Sequence, residues 1–242
     1  MRKATFGGWL AAVFFPERCA ACGEVVPYRQ GFCGRCRESL PRIVPPVCPL
    51  CGREKAACDC RGRRRHYERC DMPFWYEGAV KPGIRQLKET GCRYTMAAYA
   101  GEIAAVIRRE YGEEPFDLVT AAPLHPRDRR ERGFDQAQRL GRAVAEELGV
   151  PYADTLCKLY ETKPQKELPA RERSGNLLGV FDVREGSPVQ GARILLVDDV
   201  VTTGATLDEC AKMLKLFGAR EVYAAAAAGT RPPKKKDERP SS

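Results

Sequence analysis

The stretch Ile194-Leu195-Leu196-Val197-Asp198-Asp199-Val200-Val201-Thr202-Thr203-Gly204-Ala205-Thr206 decides how the rest of the chain is read. Ile194–Val197 is a continuous β-branched and leucine run, the mark of a parallel strand buried on both faces. Two carboxylates follow where that strand is expected to end, then a loop of hydroxyl and small residues, then a helix. In an open α/β sheet, ligands bind at the C-terminal ends of the strands. The loop and the helix N-terminus offer backbone N–H groups and a partial positive charge, which suit a phosphate. Gly204 lets the backbone come close, and Thr202, Thr203 and Thr206 add hydroxyl donors. Asp198 and Asp199 accept hydrogen bonds, so they suit sugar hydroxyls. One segment can thus hold a diol and a phosphate, as ribose 5-phosphate presents them. A Walker loop is excluded, because its lysine is missing. A phospho-accepting aspartate would not need the Thr-Thr-Gly-Ala-Thr loop.

Working outward, the flanking pattern is that of an α/β domain. Phe74-Trp75-Tyr76 and Leu118-Val119 read as short strands, and Val222–Ala228 as a last one. Met96, Tyr99, Ile103, Val106 and Ile107 recur at helical spacing. Asp135 with Gln138 forms a capping box for a helix whose apolar face is Ala137, Leu140, Val144 and Leu148, stopped by Gly149. After the acidic pair, Thr206 with Glu209 reads as a second capping box. Leu207, Cys210, Leu214 and Phe217 form the inner face of that helix, and Gly218 ends it. Alternating strands and helices argue a mostly parallel sheet flanked by helices. The polar segment from Tyr160 to Asn176 is long for a compact domain, so it reads as a functional or mobile loop.

The other end of the chain has a different texture. Twelve cysteines are present, and eight lie between Cys19 and Cys60 as Cys19/Cys22, Cys33/Cys36, Cys48/Cys51 and Cys58/Cys60. Two residues between cysteines let both sulfurs face one ion from a tight turn. Gly23 and Gly52 follow two of the pairs, where a left-handed residue turns backbone N–H groups toward the sulfurs. Cys19, Cys22, Cys33 and Cys36 fit a tetrahedral structural zinc site well. Cys48, Cys51, Cys58 and Cys60 fit a second one less well, because Cys58-x-Cys60 is one residue short. One or two zinc ions are expected, building a small domain with no core of its own. Close pairs in a long chain indicate metal binding in a reducing compartment rather than a secreted disulfide scaffold, so a cytoplasmic location is expected.

Residues 1–18 are an apolar lead. Arg2 and Lys3 before Phe6–Phe15 echo a signal peptide, but Trp9, Phe14 and Phe15 are bulky and no small-x-small site precedes Pro16, so a short docking helix is expected. The organisation read from the sequence is therefore this lead, a double zinc ribbon over 19–70, an α/β domain over 71–230 and a charged, disordered tail over 231–242. Apolar residues make up 43% of the 242, enough for a core, and no run reaches the ~18–20 residues of a membrane helix. Lysine plus arginine is 41 against 32 acidic residues, a net charge of +9 that suits an anionic partner without saying which.

The run Val197–Thr206 resembles the phosphoribosyl pyrophosphate (PRPP) motif of type I phosphoribosyltransferases, and the chain from about residue 10 to 230 resembles the competence protein ComF family. Ala122-Pro123-Leu124-His125-Pro126-Arg127 with Arg132-Gly133-Phe134-Asp135-Gln136 is similar to that family's pyrophosphate-side segment. Thr162-Lys163-Pro164-Gln165, Leu168, Arg171, Arg173 and Asn176 are similar to its flexible loop. Tyr76-Glu77-Gly78 and Leu87-Lys88 are similar to the first strand and helix of its catalytic domain. Asp135 stands where the family usually has Asn, and Tyr160-Glu161 stand where an arginine often precedes the loop threonine.

The resemblance implies a phosphoribosyltransferase that holds PRPP with Mg2+. Binding would fall to Asp198, Asp199, Val200, Val201, Thr202, Thr203, Gly204, Ala205 and Thr206, with Pro123 and Leu124 on the pyrophosphate side. Asp198, Asp199 and Arg127 are the expected catalytic group. Thr162, Lys163, Gln165 and Arg171 would act in a loop that closes over the site. His125, Arg129, Arg130 and Arg132 lie nearby, the arginines reading equally as a solvated basic loop. His125 reads as structural rather than as a general base, and Asp135 as an N-cap at least as readily as a ligand. No motif names the acceptor. Glutamine-dependent amide transfer would need an N-terminal nucleophilic cysteine, and Arg2 follows Met1 here. The family implies a role in DNA uptake or processing during natural competence. The alternative is a non-catalytic accessory protein that senses PRPP or a nucleotide, or binds single-stranded DNA through its ribbons and the basic run Arg61–Arg65.

Overall fold

A computed structural model describes residues 16–60, 63–112, 116–159 and 179–232. The lead up to residue 15, the loop residues Thr162, Lys163, Gln165 and Arg171, and the tail from 233 lie outside the described residues, as do Arg61 and Gly62.

The elements follow one another as α1 (Gly34–Ser39), β1 (Cys70–Asp71), β2 (Phe74–Trp75), α2 (Val80–Thr90), α3 (Arg93–Tyr111), β3 (Leu118–Ala121), α4 (Pro126–Arg132), α5 (Gln136–Leu148), β4 (Leu156–Lys158), β5 (Phe181–Val183), β6 (Arg193–Val201), α6 (Ala205–Leu216) and β7 (Glu221–Gly229). The main sheet runs β1-β7-β6-β3, with β2 also pairing β7, and every pairing in it is parallel. Leu118 is level with Ile194, and Ile194 with Val222, so the predicted strands meet with their apolar runs in register. Side chains on both faces of the central strand are buried, as its uninterrupted apolar run requires. α2, α3 and α5 cover one face; α6 and the antiparallel β4–β5 hairpin cover the other.

Three local readings differ from the sequence expectation. β6 does not stop at Val197 but continues to Val201, so the acidic pair lies within the strand, with Asp198 level with Ala226. α6 is not capped by Thr206: its N-cap is Gly204 at φ 76°, and Thr203 Oγ1 accepts the Ala205 N–H at 3.3 Å. Only Thr202, Thr203 and this left-handed glycine separate the strand from the helix. The expected cap partner, Glu209, instead pairs with Lys212 at 3.2 Å. Phe217 is not on the inner face. The helix ends at Leu216, and Phe217 is 48% exposed because the turn into Gly218 takes it off the helical phase. The α5 reading stands: Asp135 caps the Gln138 N–H at 3.0 Å, and Gly149 closes the helix in the left-handed region.

The ribbon segment is continuous with this core. Cys19, Ala20, Val26, Phe32 and Leu40 belong to the same buried cluster as Ile84, Leu87, Tyr99 and Ile103. Phe32, Phe74 and Tyr99 form an edge-to-face trio with centroids 5.6–6.2 Å apart. Gly83 marks how close the approach is: a Cβ there would sit 2.2 Å from the Ala20 carbonyl oxygen and 2.4 Å from the Tyr99 hydroxyl. Only a glycine lets α2 lie flat on the first ribbon.

Candidate functional site

A cavity of about 700 Å3 opens at the C-terminal ends of β6 and β7. Asp198, Val200, Val201, Thr202, Gly204, Ala205 and Thr206 form one wall; Tyr76, Lys81, Arg85 and Lys88 form another. This is where the strand–loop–helix argument put a sugar phosphate. The α6 N-terminus faces the same space, so its N–H groups add a partial positive charge.

The two carboxylates have different surroundings. Asp199 is 5% exposed, and its Oδ2 lies 3.1 Å from Lys88 Nζ. Burial alone would favour a neutral lysine, but Asp199, with a smaller contribution from Asp198, holds the Lys88 ammonium above its ordinary value. Asp198 lines the cavity and accepts the Asp199 N–H at 2.8 Å. Its burial, followed by the charge of Asp199, pushes it up to about 8. Of the two acids, Asp198 is the one at the cavity wall, and Asp199 is paired with Lys88.

Lys88 was not among the sequence candidates, although a signal was available. It stands four residues after Ile84 and beside Leu87, both fully buried, so it follows the inner stripe of α2. A lysine on a buried stripe calls for an acidic partner.

The pyrophosphate-side segment is held by a carboxylate. Both oxygens of Asp135 are used on backbone: Oδ1 accepts the Gln138 N–H, and Oδ2 accepts the Leu124 N–H at 2.8 Å. Burial raises its pKa against the lowering effect of those N–H groups. Asp135 therefore caps α5 and ties down the Pro123-Leu124 turn at once. His125 is the N-cap of α4, with Nδ1 accepting the Arg127 N–H at 3.3 Å.

Beside that turn a second cavity, about 410 Å3, is lined by Pro123, Leu124, Arg129, Arg130, Lys158 and Arg184 among others. Arg127 does not line it; it is exposed on α4, with Nε 3.4 Å from Glu131. Lys158 and Arg184 come from the β4–β5 hairpin and its end, which the sequence reading did not resolve into strands. A larger cavity of about 1190 Å3 lies between the first ribbon and helices α3 and α5, away from the acidic pair. Several of its arginines already have partners: Arg42 on Glu102, Arg142 on Asp154.

The eight ribbon cysteines fall into two clusters, Cys19/Cys22/Cys33/Cys36 and Cys48/Cys51/Cys58/Cys60, each with its four sulfurs within 4.8 Å of one another. Cys22 and Cys33 Sγ are 3.8 Å apart, the edge of a tetrahedron built on zinc–sulfur bonds of ~2.3 Å. The shorter spacing of Cys58 and Cys60 closes the second set equally well, and the Cys60 N–H points at Cys58 Sγ. Gly23 and Gly52 are left-handed at φ 77° and 67°. The donor sets are those of structural zinc. Arg65 is not part of an exposed basic run: it turns inward onto the Thr203 carbonyl and Asp208.

Among the described residues no helix is long and apolar enough to cross a membrane. Residues 10–71 match the double zinc ribbon domain model, and residues 136–241 match the phosphoribosyl transferase domain model. Over 208 residues the chain is 32% identical to the DNA utilization protein YhgH of Salmonella typhimurium, covering 84% of this chain and 86% of that one. It is 31% identical over 194 residues to competence protein ComFC of Bacillus subtilis, covering 75% and 77%. Among solved structures, adenine phosphoribosyltransferase from Thermoanaerobacter pseudethanolicus is a loose neighbour, 16% identical with a TM-score of 0.39, covering 62% and 85%. With both domains and their order matched, and two relatives above 30% identity across most of their length, the chain belongs to the competence protein ComF family, a double zinc ribbon joined to a type I phosphoribosyltransferase domain.

Proposed function

We propose that this chain binds PRPP with Mg2+ and transfers its ribose 5-phosphate to an acceptor. The observation that carries the reading is the cavity shared by Asp198, Lys88 and the Thr202–Thr206 turn. Asp198 accepts the ribose hydroxyls. Asp199 acts chiefly through Lys88, keeping the ammonium at the cavity wall. The N–H groups of the turn and the hydroxyls of Thr202, Thr203 and Thr206 take the 5-phosphate. Val200, Val201 and Ala205 shape the wall without donating side-chain charge.

Transfer breaks the bond between C1 and the pyrophosphate oxygen, and negative charge grows on the leaving group. Arg129, Arg130, Lys158 and Arg184 supply positive charge beside the Pro123-Leu124 turn; Arg127, exposed on α4 outside that cavity, is a catalytic candidate through the family resemblance. Mg2+, held together with the diphosphate, would neutralise part of that charge. Thr162, Lys163, Gln165 and Arg171 would close over the site and exclude water.

Incubating the full protein with PRPP, Mg2+ and a panel of bases and amines, and following pyrophosphate release, tests transfer. Thermal shift with PRPP tests binding alone, since binding to the folded state must raise its stability. Wild-type protein with no shift at millimolar PRPP would sink the assignment.

The relatives, a DNA utilization protein and a competence protein, favour a second reading, a role in DNA handling during competence; in it PRPP is sensed rather than consumed. A PRPP-induced shift without turnover for any acceptor, together with steeply salt-dependent binding of single-stranded DNA, would favour it. Eight cysteines gathered into two four-sulfur clusters support metal binding in a reducing setting, in keeping with a cytoplasmic location.

A further inference from the structure

The second cysteine cluster touches the phosphate-binding turn directly. Arg53 follows Cys51-Gly52 and is 6% exposed. Its Nη2 donates to the Thr202 carbonyl, its Nε to the Thr230 carbonyl at 2.9 Å and its Nη1 to Asp59 Oδ1 at 3.2 Å. Asp59 sits between Cys58 and Cys60, and the Arg53 carbonyl accepts the Cys48 N–H at 2.7 Å. The residue is thus locked into the cluster at one end and onto two strand ends at the other. Thr202 follows β6, Thr230 follows β7, and both line the cavity. Arg65 repeats the arrangement one residue further along: its Nη2 donates to the Thr203 carbonyl at 2.6 Å, and its Nη1 holds Asp208 in the first turn of α6 at 3.3 Å.

Peptide planarity gives these contacts a consequence. In a trans peptide the carbonyl of one residue and the N–H of the next point in opposite directions. Fixing the Thr202 carbonyl fixes the Thr203 N–H, and fixing the Thr203 carbonyl fixes the Gly204 N–H. Two guanidinium groups on the ribbon side therefore aim two successive donors the other way, away from the ribbon.

We propose that Arg53 and Arg65 are positioning residues of the zinc-ribbon half that preset the backbone N–H groups of the 202–206 turn for the phosphate of the bound sugar phosphate. The proposal rests on the PRPP reading for its ligand, but not for the clamp itself. An arginine suits the Arg53 place because its planar fork reaches three acceptors at once, which a lysine ammonium on a flexible stem does not. The ribbon is then part of how the site is built, since the turn has no other guanidinium behind it among the hydrogen bonds of the described residues.

The test uses the full chain with its zinc and the variants Arg53→Ala, Arg53→Lys, Arg65→Ala and Arg65→Lys. Zinc per chain and unfolding temperature are read first. Amide hydrogen exchange across residues 202–206 is then measured without ligand, and PRPP affinity with Mg2+ by calorimetry. The expected result is retained zinc, faster exchange in the turn and about tenfold weaker PRPP binding for either alanine variant. Arg65→Lys should recover much of the loss, because one ammonium can still serve one carbonyl. Arg53→Lys should not. Unchanged turn exchange and unchanged affinity in zinc-replete Arg53→Ala and Arg65→Ala would overturn the proposal. If Arg53→Ala sheds its metal, Arg65, outside the cysteine set, decides the matter. If wild-type protein fails to bind PRPP, the functional reading falls while the exchange measurement still decides the clamp.

Discussion

The two cysteine clusters are alike in ligands and unlike in what they hold. The first is packed: its residues merge with α2 and α3 through Phe32, Tyr99 and the flat approach at Gly83. Its contribution is apolar area. The second makes polar contacts, through Arg53 and then Arg65, to carbonyls at the ends of β6 and β7. A ribbon too small to bury a core can therefore be used in two ways, as a cover for a sheet domain's helices or as a support for the turn that follows its acidic strand. Which one applies depends on the residues between and after the cysteines.

The largest expected effect comes from the ligands themselves. Cys36→Ser and Cys51→Ser should each lower the zinc content and cost several kcal/mol, because metal binding energy is also folding energy. The difference between them sharpens the comparison. Cys36→Ser should cost more global stability, while the fraction still folded keeps its response to PRPP. Cys51→Ser should lose that response. Zinc analysis with thermal unfolding, with and without PRPP, reads both. Equal loss of the PRPP response in the two variants would break the distinction.

Next is the packing of the first ribbon. Phe32→Ala empties the centre of the aromatic trio and should cost about 3–5 kcal/mol in denaturant unfolding. PRPP affinity should be unchanged, since the trio does not line the cavity.

A smaller loss is expected from Lys88→Met, about 1–3 kcal/mol, because Asp199 is left buried without its cation while Lys88 itself is partly exposed. Lys88→Met combined with Asp199→Asn should regain much of it. Non-additivity in that cycle is the readout.

Asp198 gives a pH signature. Its folded-state value is raised to about 8, above that of an unfolded aspartate. The native state then keeps a proton that the unfolded chain has released, so stability from this group is full below about pH 4 and is lost as pH climbs toward 8. Asp198→Asn removes the dependence. The unfolding temperature of the variant minus that of wild type should therefore grow from pH 5 to pH 8 in ligand-free protein. A constant difference would refute the assignment. Above about pH 8, where wild-type Asp198 is ionised, the same variant should bind PRPP more weakly, since an amide accepts ribose hydroxyls less strongly than a carboxylate. The smallest effect, about 1 kcal/mol, is expected for Cys210→Ser, a buried thiol in α6 that belongs to neither cluster.

Much of the sheet was legible before any coordinates. The β6 run, the apolar faces of α3 and α5 and the Asp135 cap are local, periodic signals, and each is where the pattern puts it. Among the short elements only β2 was read, from Phe74-Trp75-Tyr76. β1, β4 and β5 are two or three residues long, too short for a period to register, and they exist because β7 or a partner strand supplies their hydrogen bonds. The β4–β5 hairpin hid Lys158 and Arg184 for the same reason.

The sequence by itself determined the chemistry on offer: paired cysteines for zinc, and an acidic pair followed by a threonine–glycine turn for a sugar phosphate. These are contiguous motifs, and residue type and spacing are enough to read them. Tertiary structure alone decided the pairings. It set Lys88 against Asp199, turned Arg65 from an exposed basic run onto Thr203, and brought Arg53 to Thr202 across 149 residues of chain. The physical reason is that a buried charge or carbonyl takes whichever partner the packing of distant elements delivers, and no local period encodes that choice.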